Sequence, residues 1–425
     1  MSLNAKFSDF CKSIELDSTD MLKSASEIAK KLNKEYYGLD SEGNKHMHVV
    51  GSVGRKTAIK GSSDLDLLFV LPKATYDKYN GYESNGQSAL LQEVKSVLQA
   101  RYSKTELRGD GQVVVIDFNN YTVELVPAFK KTGEGYYYPD THDGGSWKTT
   151  NPMPEIKECK NSNDLSSGVF YDICHIIRAW KNQVGFEFSG LLIDTLIARH
   201  LSNEGYYKDS ETDYFRILMD LFKYLSGCNA EQKYWLAIGS NQQIADKGKG
   251  SFVGKAKAAY SSLVNSIEDN NTDDVLANLL GSEFPHKKER KQALYDDTEE
   301  YIDWYYPIDI RERLQIDCKI SQDGFRPFLL STWLRKGGWL RHNKKLEFFI
   351  SYTTCPEPYD ICWKVRNVGS VAEQKNQIRG QIRHTNMKTH VEHTNFYGPH
   401  YVECFIIKNG TCVARDKISV PIDTK

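Results

Sequence analysis

The stretch from His48 to Lys73, HVVGSVGRKTAIKGSSDLDLLFVLPK, limits most sharply what this chain can become. An apolar lead-in ends at Gly51-Ser52. A polar excursion over 53–63 follows, and then Asp64-Leu65-Asp66 opens an apolar run. In a strand, residues i and i+2 project to the same face. Asp64 and Asp66 therefore point one way while Leu65 turns into a core. Two carboxylates side by side repel unless a cation or a proton lies between them, and a hard, oxygen-preferring dication such as Mg²⁺ is the usual solution. Gly51-Ser52 offers backbone N–H groups and a hydroxyl where phosphates would lie. An exposed strand end would explain the two aspartates but not the apolar flank LDLLFVL.

Gly-Ser, about ten residues, Asp-x-Asp and an apolar strand resemble the signature of the polymerase-β-like nucleotidyltransferases. Transfer assisted by two metals calls for a third carboxylate on a neighbouring strand. The pattern predicts a hairpin, 112–118 and 121–129, turning at Asn119-Asn120. It carries two candidates, Glu124 and Asp117. Glu124 is preferred because it lies mid-strand among apolar residues, where a bare carboxylate is costly. Asp117, beside the turn, reads equally well as a solvated strand end.

Around this centre the chain alternates predicted elements. Apolar spacing of three and four predicts helices over 4–35, broken near Asp17–Asp20, and over 87–101. Residues 55–63 form a basic loop, including Ser62 and Ser63, that suits either phosphate or solvent. Residues 130–160 read as a long loop. Its Tyr136–Tyr138 and Trp147 suit base stacking or anchoring equally, and Lys148–Pro152, with Asn151, suits contact with a nucleotide. From 164 two packed helices are expected, separated by 182–189. Arg178 and Lys181 share a face, with Lys181 at the helix end placed for a phosphate. Ser189 starts the next helix and can present its hydroxyl to the same group. Further helices fall at 212–225 and 253–268. The charged segment 286–300 reads as a linker or exposed helix.

After residue 310 short alternating runs appear, ending in a hairpin at Asn409-Gly410. They predict a separate all-β sandwich of about six to seven strands. His384, His390 and His393 fit no standard metal spacing. The expected fold class is α+β: a nucleotidyltransferase core over 1–160, a helical second lobe over 161–300 and a sandwich-like β domain over 310–425.

A formal net charge of −1 over 425 residues disfavours a generally basic nucleic-acid binder but leaves room for a local basic groove. Nine scattered cysteines without a CxxC read as reduced thiols. Neither a signal peptide nor a membrane span is legible, so a cytoplasmic, non-membrane protein is expected.

With these motifs in place, roughly residues 20–290 resemble the bacterial CD-NTases, or SMODS synthases, relatives of cyclic GMP-AMP synthase and oligoadenylate synthase. The matching residues are Gly51-Ser52, Asp64-Leu65-Asp66, VELVPAF with Glu124, SWKTTNP with Asn151, IIRAWK with Lys181, Ser189, and GSNQ at 239–242. The third acid is commonly Asp in that family and is Glu here. Residues 310–423 resemble the AGS-C domain, through FRPF, DICWKVRNVGSVA, RGQI, FYGPHYVECFIIKNG and CVARDKISV. The resemblance implies a nucleotidyltransferase in which Asp64, Asp66 and Glu124 bind Mg²⁺ (or Mn²⁺). Gly51, Ser52, Asn151, Lys181 and Ser189 then bind a nucleoside triphosphate. It implies a cyclic or linear oligonucleotide messenger made for a separate effector in anti-phage defence, and an activating ligand, unnamed, for the β domain. A terminal transferase acting on a nucleic-acid or protein hydroxyl, a toxin-like enzyme modifying a protein or tRNA, and a non-catalytic nucleotide sensor stay open as alternatives.

Overall fold

A computed structural model describes residues 1–39, 44–61, 64–103, 105–207, 212–285, 298–322, 324–341, 344–368, 370–394 and 398–422. Ser62 and Ser63 of the basic loop and most of the expected linker, 286–297, lie outside the described residues. The chain forms two compact units, residues 1–178 with 189–260 and residues 179–188 with 261–425.

The first unit opens with α1 (Leu3–Ser13) and α2 (Thr19–Tyr37), then β1 (Met47–Val49), the single turn α3 (Gly51–Gly54), β2 (Asp64–Val70), α4 (Lys73–Asn80) and α5 (Gly86–Gln99). Strands β3 (Glu106–Asp110), β4 (Val113–Asp117), β5 (Thr122–Lys130), β6 (Tyr136–Asp140) and β7 (Ser146–Thr150) follow. The sheet runs β1-β2-β5-β4-β3, with β6 joined to β5 and β7 to β6. Strand β5 is its hinge: it pairs with β2 in parallel and with β4 antiparallel.

Alternation along β2 sorts its side chains. Leu65, Leu67 and Phe69 enter a core with Ile28 and Leu32 of α2 and Leu91 and Val94 of α5. Burying such side chains contributes roughly 1.5–3 kcal/mol each. The opposite face of β2 keeps only a small apolar patch, Leu68 with Val50 and Ala128, and so is left for polar work at its start.

The stretch 130–160, expected as a loop, is instead the β6–β7 hairpin followed by α6 (Pro152–Leu165). Gly, Pro and Asp hid the alternation, and aromatic packing supplies what composition lacks. Trp147 lies against Tyr76 and Phe129, at 5.1 and 5.5 Å between ring centroids, and donates to Asn80 Oδ1 at 3.0 Å. Tyr137 faces Tyr76 at 6.0 Å. Trp147 and Tyr137 thus anchor the hairpin. Helices α7 (Val169–Val184), α8 (Gly190–Asn203) and α9 (Tyr214–Ser226), the short ribbon β8 (Tyr234–Leu236) with β9 (Gln243–Ala245), and α10 (Ser251–Glu268) come next. The division between units cuts α7 after Arg178 and α10 after Tyr260.

The second unit adds α11 (Thr272–Leu280) and two four-stranded sheets. One holds β10 (Leu314–Ser321), β11 (Phe328–Leu329), β12 (Lys345–Thr353) and β15 (Thr389–His393), with the single turn α12 (Leu330–Leu334) between β11 and β12. The other holds β13 (Asp360–Asn367), β14 (Arg379–His384), β16 (His400–Lys408) and β17 (Thr411–Val420), with α13 (Ser370–Gln374) after β13. Cys318, Leu346 and Phe348 of the first sheet meet Trp363, Val402 and Ile406 of the second in one core, making a sandwich. It has eight described strands; β11 is only two residues long, too short to show as alternation. The Asn409-Gly410 turn joins β16 to β17 as expected. All nine cysteines are free thiols. Among the described residues no helix is long and apolar enough to cross a membrane.

Candidate active site

The site is built from strand register. Asp66 stands opposite Glu124 in the parallel β2–β5 pair, and Asp64 stands opposite Thr122. Paired residues of neighbouring strands share a face about 4.8 Å apart, so Asp64, Asp66 and Glu124 crowd the same side. All three are part-buried. Asp117 shares that face through its pairing with Thr122. Its carboxylate is already engaged, by the Arg108 guanidinium and by the Thr122 hydroxyl at 3.1 Å.

The Gly51-Ser52 turn closes on one of these residues, Asp66. Val50 N donates to Asp66 O at 2.9 Å, which ties the start of α3 to β2. Gly51 has φ +61°, and a Cβ there would lie 1.7 Å from Asp66 Oδ2. Only glycine permits both the backbone conformation and this approach. Gly51→Ala is therefore expected to displace Asp66 and to lower nucleotidyl transfer by at least about 100-fold, because misplacement of a reacting group by an ångström costs that much. Circular dichroism should show an unchanged fold, and turnover near that of the parent would refute the close approach.

Behind the turn lies a buried ionic network that charge patterning alone does not announce. Arg55, the residue after α3, places Nε 2.8 Å from Asp194 Oδ2, and Thr57 Oγ1 donates to the same oxygen at 3.0 Å. Arg178 of α7 places a guanidinium nitrogen 2.7 Å from Asp194 Oδ1 and donates to Thr57 Oγ1 and to Gly190 O at 2.9 and 3.0 Å. Burial alone would raise the Asp194 carboxyl. The Arg178 and Arg55 guanidiniums outweigh it and hold the group at about 2. One buried aspartate thus joins the segment that carries Gly51-Ser52 to the first residue of α8, just after Ser189. The signal in sequence was an acid inside the apolar run LLIDTLIA.

Ser189 takes the N-cap position of α8, yet its side chain makes no bond to the helix's own N–H groups. Asn151 is the N-cap residue of α6; its N–H donates to Gln242 Oε1 at 3.0 Å and its side chain to Glu134 Oε2 at 3.4 Å. Ser240 and Gln242 donate to the buried Glu155 at 2.7 and 2.9 Å. The GSNQ segment therefore fixes the first turn of α6. Lys181 falls in the second unit, apart in the chain's division from Arg178. Its Nζ donates to Ile310 O at 2.6 Å and lies 3.6 Å from Asp309 Oδ1.

Among the described residues, no three His, Cys, Asp or Glu side chains are already drawn into a ligand cluster. An all-carboxylate set facing one way still fits a magnesium-type ion, which commonly takes one or two carboxylates and completes its shell with water and substrate phosphate.

Residues 1–163 match the Second Messenger Oligonucleotide or Dinucleotide Synthetase domain, and residues 296–423 match the Adenylyl/Guanylyl and SMODS C-terminal sensor domain. No curated protein matches the chain. Among solved structures, CdnC of E. coli MS115-1 in complex with HORMA-deltaN is 14% identical and aligns with a TM-score of 0.53 over 66% of this chain and 98% of that one. The same CdnC with ATP is 15% identical, at a TM-score of 0.52 over 66% and 98%. At such identities these two alignments speak for the fold. The domain matches place residues 1–163 in the second-messenger oligonucleotide or dinucleotide synthetase (CD-NTase) family of nucleotidyltransferases, with an AGS-C sensor domain over residues 296–423.

Proposed function

We propose that this chain condenses nucleoside triphosphates into a cyclic or linear oligonucleotide messenger with release of pyrophosphate. The observation that carries this reading is the pairing of Asp66 with Glu124 under a glycine turn that touches Asp66. Asp64, Asp66 and Glu124 would hold the divalent cation, Mg²⁺ or Mn²⁺. When bound, that cation lowers the pKa of an attacking hydroxyl and neutralises the triphosphate. Gly51 and Ser52 would bind phosphate through backbone N–H groups and a hydroxyl, and Ser189 through its own hydroxyl at the positive end of α8. Asn151 would contact the nucleotide from the start of α6. Lys181 is kept as a proposed phosphate-binding residue on the sequence pattern alone.

The product would act on a separate effector protein, in the cytoplasm, as part of anti-phage defence, with the sensor domain taking the activating ligand. The test is incubation of the full chain with all NTPs and dNTPs plus Mg²⁺ or Mn²⁺, followed by mass spectrometry and a pyrophosphate assay. Small oligonucleotides with stoichiometric pyrophosphate are expected. A lengthened primer, a mass-shifted protein or labelled tRNA, with no small product, would overturn the proposal in favour of a transferase on a macromolecular acceptor.

A further inference from the structure

We infer that residues 325–341 of the second unit, with Lys344 and Lys345, are a binding surface for single-stranded nucleic acid. The chain as a whole is nearly neutral, but between residues 324 and 346 it carries Arg326, Arg335, Lys336, Arg341, Lys344 and Lys345 and no Asp or Glu. All of these except Lys344, which is part-buried, are exposed. Interleaved with them are aromatic side chains that the sandwich does not use. Phe325 is 71% exposed and Trp339 62%, among the most exposed large apolar residues described. Exposing two such rings beside a run of cations gives up hydrophobic burial that a purely structural loop would take.

The surface is held in shape. Leu330 and Leu340 are buried in the sandwich core and anchor the segment at two points, and Leu340 N donates to Pro421 O at 2.8 Å. Between them Trp333 packs on Phe328 with ring centroids 5.1 Å apart and donates from Nε1 to Trp339 O at 3.2 Å. The backbone of Gly338 lies so close to the Trp333 ring that a Cβ there would come within 2.3 Å of Nε1. Trp339 is thus presented to solvent from an ordered turn and needs little ordering when a partner arrives.

Cations that track a phosphate backbone and aromatic faces on which bases stack are the two components of a single-strand site. A duplex would satisfy the cations but not the rings, because its bases are already stacked inside. The surface stands on the second unit alone and does not depend on the proposed synthase chemistry. It would make single-stranded nucleic acid the ligand class of the sensor domain.

Fluorescence anisotropy of the full chain with labelled oligothymidylate, oligouridylate and a mixed-sequence duplex tests this. Both single strands should bind more tightly than the duplex, with affinity falling steeply with salt. Trp339→Ala and Phe325→Ala should each weaken single-strand binding roughly tenfold, within the range that loss of one stacked base implies. Arg335→Glu with Lys336→Glu should weaken binding and flatten the salt dependence by about 1.4 log units per log unit of salt. These side chains are exposed, so melting temperatures should match the parent. The inference is overturned if neither strand binds at low salt or if the duplex binds as well with no dependence on the aromatic residues. It is also overturned if the surface variants leave binding unchanged while Trp339→Ala abolishes self-association or vesicle binding instead.

Discussion

Replacing Asp66 by Asn, alone or together with Asp64→Asn, is expected to lower product formation by roughly 10³-fold or more. The substitution preserves shape but removes the charge and turns one acceptor oxygen into a donor, so it tests electrostatics with packing held constant. Asp66 is part-buried and lies at the start of β2 on the face away from the α2–α5 core, so the fold should persist. Glu124→Gln should behave like Asp66→Asn, since the two stand opposite each other in the β2–β5 pair. Asp117→Asn should leave most of the activity, because its carboxylate serves Arg108 and Thr122. Pyrophosphate release from labelled NTPs measures all four variants. Activity surviving Asp64→Asn with Asp66→Asn would remove the catalytic assignment. Loss at Asp117 equal to loss at Glu124 would move the third ligand one strand over.

The parts of this site that follow from local pattern were legible in the sequence, and those that depend on tertiary pairing were not. Period-two alternation put Asp64 and Asp66 on one face of β2 before any fold was known. That Glu124 stands opposite Asp66 depends on parallel pairing between strands far apart in sequence, which no local pattern encodes. Gly51 was read as a phosphate turn; that a Cβ there would collide with Asp66 Oδ2 was not readable. Arg55 was read in a loop suiting phosphate or solvent, Arg178 only as sharing a face with Lys181, and Asp194 was passed over, because the partner that permits each burial lies on another element. Lys181 shows the same limit from the other side. Helical spacing placed it on a face with Arg178, but that its ammonium meets Ile310 O and Asp309, far along the chain, no local spacing encodes. In the second unit the alternating runs were correctly strands, but of residues 325–341 only FRPF was noticed, as a family motif, because the aromatic and basic residues there carry no period.

Asp194→Asn should destabilise the first unit by about 3–5 kcal/mol, the usual cost of breaking a buried ion pair by removing one partner. The substitution leaves the Arg55 and Arg178 guanidiniums buried beside a neutral amide, with Thr57 still bonded to Arg178. Urea unfolding followed by circular dichroism should show the lower midpoint. A pH signature accompanies it. The carboxyl is depressed to about 2 in the folded chain against an ordinary value near 3.8. Its contribution is therefore complete above about pH 4 and declines as pH falls towards 2. The parent should lose this increment of stability on acidification, and Asp194→Asn should show no corresponding loss. Replacing all three charges, Asp194→Leu with Arg55→Met and Arg178→Met, should recover part of the stability, because apolar residues of similar volume need no counter-charge. Synthesis should nonetheless stay low in that triple variant: Arg55 holds the segment after Gly51-Ser52, and Arg178 holds Gly190 next to Ser189. Stability recovered without activity would show that the network positions the two phosphate-facing segments as well as holding the fold. An Asp194→Asn chain that unfolds within about 1 kcal/mol of the parent would mean that the buried charges are balanced elsewhere.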